Sequence, residues 1–571
     1  MKKKWLALFC AVGLTLSILP AAFADEESPL LPGGEEPGIE QELPQREETT
    51  VIVGLYYGSN TLSGVNLQNA TGAGSGYRFG YLDDSRTFQL LGNTEEIDIS
   101  VVKGENVWYG TYDGYTSYFD TITSNVMVGC WHVLLPVEVA TWEEAAQKAL
   151  EMDGFPAWIE GAWQVRYGSY VAQEEAQATA EALGGTVVGD SRYGISAVRR
   201  GSSKILFHYD GGADLPLIVK PGLDDSVKTV TWMKNSRYFG GFQYERINGG
   251  NLTVSSVLPI DDYADCVCSR EMSASWPMDA LKAQAICARN YYEQMLAERK
   301  HRSQGFDICN TTCCQVYFGM GSTNERTAQA AAETSGLRIW YQGERADIFY
   351  FGSDGGATEA SQNVWVKEYP YLCGVIDPYE ATVAEKIAKY NWTVNYTADE
   401  LTELLHEKGY GIGAKVVDFQ ITERTPNGNV KRITFTLDNG TTHSFAKDSA
   451  RNFLGLRSNR YSVIRSGATV GGCYYVDQEG SVDSVNGLYA IGGNGNLSPV
   501  GGTAYVLTGN GVEELPSPYG GTPTEELSFT VQGSGNGHNV GMSQWGAYAM
   551  AQQGFTYEEI LKFYFPGVEI Y

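Results

Sequence analysis

Glu271 closes one short helical run, and two cations, Lys282 and Arg289, stand in the next. The stretch from Leu258 to Tyr292 reads LPIDDYADCVCSREMSASWPMDALKAQAICARNYY. A carboxyl group at a helix C-terminus meets the negative end of the dipole, which favours keeping its proton. A protonatable glutamate near fixed cations has the makings of an acid/base site. Lys282 and Arg289 lie seven residues apart and project from one helix face, so they are expected to orient Glu271 or polar groups of a ligand. The same cations pull against a raised Glu pKa. Without further context, the plain alternative is a surface glutamate on a helical hairpin.

Three other groups carry chemistry. Cys309, Cys313 and Cys314, with His301 nearby, are soft ligands at the density of a zinc site. A Cys309–Cys314 disulfide or inert thiols are the alternatives. Cysteine nucleophilic catalysis lacks a His/Asp partner at a suggestive spacing. Ser353-Asp-Gly-Gly356, followed by Thr358, comes after an apolar run, and its glycines would let backbone N–H groups approach a ligand. Near the chain end, Gly537-His538 and Ser543-Gln544-Trp545 offer an imidazole that could titrate near neutrality and an amide that could bond a sugar.

The elements that must position these residues follow from pattern. Asp261 and Asp262 start a helix over about 263–272, Ser275-Trp276-Pro277 breaks it, and Pro277 suits the first turn of a second. Leu281, Ala285, Ala288 and Tyr292 give that second helix one apolar face. Residues 325–336 read as an Ala-rich helix closed by Gly336, and 346–352 as a strand. Residues 380–465 read as helix, hairpin across Asn427-Gly428 and a closing segment. Residues 466–526 are Gly-rich and loop-like. Thr556 with Glu559 caps a final helix.

Upstream, 51–130 is a series of short alternating runs, a β-rich unit without a catalytic cluster. Residues 131–200 read strand, helix, strand, strand, helix, strand, with ISAVRR (195–200) last, as two βαβ-like halves in tandem. The expected fold class is α+β and multidomain.

Met-Lys-Lys-Lys, an apolar run from Trp5 to Leu19 and Ala22-Phe-Ala24 form a secretory signal peptide over 1–24. Its apolar run is short for a membrane span, so a membrane partner enters only if this segment stays uncleaved. Residues 25–50 are acidic and rich in Pro and Gly, a disordered spacer. The net charge of −27 over 571 residues argues against nucleic acid and anionic lipid. A neutral glycan fits, and 36 tyrosines and 12 tryptophans suit stacking on sugar rings. Losing Cys10 from ten cysteines leaves an odd number, so disulfides cannot pair them all within the chain.

The run from Val257 to Tyr292 closely resembles the opening signature of the SpoIID/LytB domain of sporulation and cell-wall proteins. FDICNTTCCQVYFGM (306–320) resembles a position where that family usually reads Cys-Asp-Thr-Thr-His-Cys-Gln-Val-Tyr; here Asn310 replaces the Asp and Cys313 the His. Ser353-x-Gly355-Gly356-x-Thr358 and Gly537-His538…Gly541-Met-Ser-Gln-Trp-Gly546 are similar to its later motifs. The resemblance spans about 201–571, with an insert at about 380–526. WQVRYGSY with the following helix resembles the SPOR domain, which binds glycan strands lacking stem peptides.

The resemblance implies a secreted, wall-associated peptidoglycan lytic transglycosylase, acting in sporulation or wall remodelling. Glu271 would be its acid/base, with Lys282 and Arg289 as catalytic partners. Gln284, Gln315, Tyr317, Ser353, Gly355, Gly356, Thr358, His538 and Gln544 would bind substrate. No cofactor is required. A structural zinc on His301, Cys309 and Cys314 remains open, because zinc occurs in some members and the usual His is lost here. Glycan strands and other wall hydrolases are the implied partners. A non-catalytic wall-binding protein that stimulates an amidase is the alternative function. A zinc amidase or peptidase is disfavoured by the thin His supply.

Overall fold

The structure is a computed structural model that describes residues 49–467 and 527–571, with six short strands between Tyr474 and Glu514. The expected signal peptide and nearly all of the acidic spacer lie outside the described residues. The six strands pair as three antiparallel couples in a stretch that the sequence suggested was loop.

Two sheets form the N-terminal half. In the seven-stranded sheet Thr50–Tyr56 runs antiparallel to Thr253–Pro259 and parallel to Ile308–Cys309. Gly241–Glu245, Leu217–Pro221, Tyr77–Leu82 and Phe88–Thr94 complete it. The ten-stranded sheet joins Gly64–Asn69 and Asp98–Lys103 to Ile195–Arg199 and Ile205–Asp210. Strands from 51–130 thus pair directly with strands beyond 200. The boundaries expected at 130 and 201 fall inside continuous sheets. Alternating apolar runs specify a strand and its face, but not which distant strand satisfies its edge. One core, including Val51, Phe79, Phe207, Phe242, Tyr263 and Tyr292, spans both stretches.

The 131–200 stretch forms one end of the ten-stranded sheet. Trp131–Leu134 is followed by helix α1 (Trp142–Glu151), Phe155–Ile159, Ala162–Tyr170, helix α2 (Gln173–Leu183) and Thr186–Gly189. The fourth, first, third and second of these strands lie side by side, each pair antiparallel. This is the split βαβ, ferredoxin-like arrangement. Its closing strand is Thr186–Gly189, four residues that the sequence reading passed over. The 195–199 run, expected to close the unit, instead pairs with Asp98–Lys103.

The Glu271 hairpin follows Thr253–Pro259 directly. Helix α3 covers Ile260–Glu271 and helix α4 covers Met278–Glu298, begun by Pro277. Ala264 of α3, Ala285 of α4 and Ala331 of helix α5 (Glu325–Glu333) form one buried cluster; these small residues let the three helices approach closely. The anticipated apolar face is buried throughout: Leu281, Ala285, Ala288 and Tyr292 are all solvent-inaccessible. A second core packs α4 against Gln544–Gln552 and Tyr557–Tyr564, through Leu281, Ile286, Met550, Ile560 and Leu561.

The inserted region has its own core around Trp392, Leu405, Phe419, Phe435 and Phe529. Its helix Ala398–Glu407 and its hairpin Val416–Arg424/Val430–Leu437 stand where the sequence placed them. Ser528–Ser534 lies between Asn391–Thr397 and Tyr461–Ser466 and returns the chain to the core.

Candidate functional site

Glu271 is the last residue of α3, and Met272 leaves the helix with extended backbone. Its carboxyl is largely enclosed. Burial pushes its pKa up, while a hydrogen bond from Gln544 and the charge of neighbouring Arg270 pull it down. Gln544 Nε2 donates to Glu271 Oε2 at 3.0 Å, and Gln284 Oε1 of α4 lies 3.5 Å from the same nitrogen. Gln544 is carried there by a short parallel pairing of Tyr350–Phe351 with Met542–Ser543. Ser543 then caps the helix that Gln544 begins, accepting from Gly546 N. The opening and closing segments of this half therefore meet at one carboxyl group.

Behind it stands a chain of polar groups. Gln315 Nε2 donates to Tyr350 Oη at 2.7 Å, and Tyr263 Oη donates to Gln315 Oε1. Burial, then the charge of Glu271, raises the Tyr350 phenol well above its usual range. Gln315 is 3 % exposed and so supports the site from behind. Tyr317 is wholly buried, bonded to Ser256 Oγ at 3.0 Å and stacked on Tyr263. It belongs to the core, where the sequence had placed it on substrate.

Neither expected cation reaches Glu271. Lys282 Nζ pairs with Glu333 Oε2 at 2.6 Å. Arg289 is buried against Asp261, at 2.7 Å, and also donates to Thr334 Oγ1 and Ala331 O. Lys282 braces α4 to α5, and Arg289 ties α4 to both α3 and the end of α5. A shared helix face fixes their direction, but it does not say which neighbour that face meets. The cation that acts on Glu271 is Arg270, the preceding residue, which the sequence reading passed over.

The Ser353–Gly356 loop is occupied by the protein itself. Ser353 Oγ donates to Glu380 Oε1 at 2.6 Å, Asp354 N to Oε2 at 2.9 Å and Gly355 N to Oε1 at 3.0 Å. The loop does cradle a carboxylate, but an internal one. Gly355 (φ 67°) and Gly356 (φ 116°) supply the left-handed backbone that this turn needs. Gly356 N donates to Asp354 Oδ1, and Thr358 Oγ1 accepts from Val375 N. These four residues are framework where the sequence had put sugar contacts. Glu380, read from sequence only as part of a supporting insert, is the piece that was missed.

His538 is packed against Phe351 and Trp365, with Nδ1 accepting from Val540 N at 3.1 Å. Burial pushes its pKa down to about 4, so it is neutral at pH 7 and does not titrate there as the sequence suggested. Beside Gln544, the Trp545 ring meets Trp276 with centroids 4.6 Å apart. Both indoles are partly exposed, the kind of surface on which a sugar ring stacks.

His301, Cys309, Cys313 and Cys314 bring one ligand atom each within 4.8 Å of one another. His301 Nε2 lies 3.1 Å from Cys314 Sγ and 3.9 Å from Cys313 Sγ. Its Nδ1–H is taken by Gln304 Oε1 at 2.8 Å, which leaves the Nε2 lone pair facing the thiols. No disulfide joins the three cysteines in this structure. With Cys313, the three residues put forward for a zinc ion become a HisCys3 set, which suits a closed zinc site.

Residues 248–341 match the family model described as SpoIID, Stage II sporulation protein. That segment contains the whole Glu271 hairpin and the thiol cluster. The chain is similar to the amidase enhancer of Bacillus subtilis (strain 168), 29 % identical over 308 residues, covering 53 % of this chain and 39 % of that protein. It is also similar to stage II sporulation protein D of B. subtilis (strain 168), 26 % identical over 326 residues, covering 55 % of this chain and 74 % of that one. The same protein from Bacillus amyloliquefaciens is 25 % identical over 326 residues, with the same two coverages. The chain thus spans well under half of the amidase enhancer. No helix among the described residues is long and apolar enough to cross a membrane.

If Gln544 donates to the ionised form of Glu271, removing it raises the Glu271 pKa further. A reaction that needs the protonated acid is lost as pH rises through that pKa. Gln544→Met is therefore expected to move the alkaline limb of the pH–rate profile upward while lowering the peak rate. A profile with an unmoved alkaline limb would show that Gln544 has no hold on the Glu271 proton.

Proposed function

We propose that this chain is a secreted lytic transglycosylase of peptidoglycan, with Glu271 as the acid and then the base. The observation that carries the reading is a single enclosed carboxyl, raised by burial and held by one amide. Among the described residues no second acid acts on it. Glycoside hydrolysis generally needs two carboxyl groups, one to protonate the leaving oxygen and one to attack or to activate water. A transglycosylase manages with one. Glu271 gives its proton to the oxygen between N-acetylmuramic acid and N-acetylglucosamine, and the C1–O bond breaks. The muramic C6 oxygen bonds C1, and the Glu271 carboxylate takes the proton that leaves the C6 hydroxyl. The 1,6-anhydro product forms without water as nucleophile.

Trp276 and Trp545 offer stacking faces beside the acid. The ferredoxin-like unit at 131–189, whose third strand carries WQVRYGSY, is read as a SPOR-like module holding strands stripped of stem peptides. Similarity to the amidase enhancer supports a second reading, a wall-bound protein that stimulates an amidase. Mass spectrometry of denuded glycan strands decides between them. Anhydro-ended products from the wild type establish cleavage, reducing ends mean water attacks, and bound but intact strands favour the adaptor.

His301, Cys309, Cys313 and Cys314 are read as holding a structural zinc ion, which would cross-link residues 309–314 to the end of α4. Cys313→Ser is expected to lower bound zinc in metal analysis and to lower the melting temperature, with the glycan products unchanged in kind.

A further inference from the structure

We propose that His132, His208 and Asp190 bind a divalent transition-metal ion in the ten-stranded sheet, in the part formed by the ferredoxin-like unit and its neighbouring strand. His132 is on Trp131–Leu134, Asp190 follows Thr186–Gly189, and His208 is on Ile205–Asp210. Two strands separate the histidine-bearing strands in the sheet, so the sheet has to curl for these side chains to meet. Their Nε2 atoms lie 3.2 and 3.1 Å from Asp190 Oδ1. Both imidazoles are wholly buried and the Asp190 side chain is 2 % exposed.

Two independent features point to an ion. First, each Nδ1 is already engaged: His132 Nδ1–H donates to Gly168 O at 2.8 Å, and His208 Nδ1 meets Ser196 Oγ at 2.9 Å. The His132 bond fixes the tautomer, since a carbonyl can only accept, and leaves a lone pair on Nε2. That is how ligating histidines are oriented. Second, both Nε2 atoms are buried and make no well-aligned hydrogen bond. Both crowd one oxygen, Asp190 Oδ1, and with the His132 tautomer fixed by Gly168 O, the His132 lone pair faces that carboxylate. Two donors each ~2.1 Å from one ion stand ~3.0 Å apart at a right angle and ~3.4 Å apart at the tetrahedral angle. The observed separations fall within that range. Two imidazoles and a carboxylate select zinc and its first-row neighbours over calcium or magnesium. Arg166 Nη1, 3.2 Å from Oδ1, holds the carboxylate in place from outside. The ion would tie together the two histidine-bearing strands, which are not neighbours in the sheet.

The test uses the whole chain with Cys309, Cys313 and Cys314 changed to serine, so that metal on the thiol cluster is excluded. Loaded with Zn2+ and dialysed, this protein is expected to keep about one equivalent and to melt higher than its stripped form. His132→Asn in the same background is expected to release the metal, although asparagine can still donate to Gly168 O; His208→Asn is expected to do likewise. Should the serine background fail to fold, wild type titrated with Co2+ gives the second readout. An added equivalent without a thiolate charge-transfer band supports the site, whereas binding through thiolate alone overturns it. Retention of the metal by His132→Asn, or a folded serine background that binds none, also overturns it and leaves a shared proton as the occupant of the cluster.

Discussion

Glu271→Gln is expected to abolish release of anhydro-ended fragments while leaving strand binding intact. General acid/base catalysis contributes roughly 10²–10⁴-fold. In the proposed reaction one group serves in both halves, so the loss should reach the upper end. Glutamine keeps the shape and can still meet Gln544, but it has no proton to give. The same substitution should raise stability at pH 7. The folded-state pKa of Glu271 lies above its ordinary value, with burial as the largest cause. Stability drawn from the protonated form is fully present below the unfolded pKa and is lost as pH rises through the folded one. Glutamine is neutral throughout and escapes that loss. The check is paired: product spectra against denuded strands, and melting temperature at pH 4 and pH 7. The gain should appear at pH 7 and shrink at pH 4. Full activity with an unshifted melt would remove Glu271 from the chemistry.

What could be read from the sequence divides along a physical line. The helical hairpin, its apolar face and the position of Glu271 follow from local pattern, and α3 and α4 stand within a few residues of where spacing put them. The helix of the insert and its Asn-Gly hairpin were equally legible, because capping boxes and turn residues act within a few positions. Long-range partnership was not. Nothing local says that Thr50–Tyr56 completes a sheet with Thr253–Pro259, or that Lys282 points at Glu333. The Ser353–Gly356 loop teaches the same lesson. Its glycines announced a backbone whose N–H groups could approach a ligand, and only the tertiary structure shows that they bond the carboxylate of Glu380. Cys313 shows the reverse: at a departure from the family pattern, its thiol lies within 4.8 Å of the ligand atoms of His301, Cys309 and Cys314.

Arg289→Met is expected to be among the most destabilising single changes in the SpoIID-like half. The guanidinium is solvent-inaccessible, its Nε and Nη2 both donate to Asp261 Oδ1, and it reaches Thr334 and Ala331 at the end of α5. Methionine fills much of the volume but leaves Asp261, 3 % exposed, as a buried charge without this partner, and breaks the tie between α3, α4 and α5. Removing one member of a buried ion pair costs about 3–5 kcal/mol. Denaturant unfolding should register that loss as an earlier midpoint. Arg289→Met/Asp261→Leu separates charge from packing. With both charges gone, the double variant should recover part of the loss, although Ser335 Oγ also donates to Asp261 and loses its acceptor. A catalytic role for Arg289 predicts something different: a stable single variant with a depressed rate. Under the proposed function, whatever fraction of Arg289→Met stays folded should cleave glycan normally, because the contacts of Arg289 run to Asp261, Thr334 and Ala331.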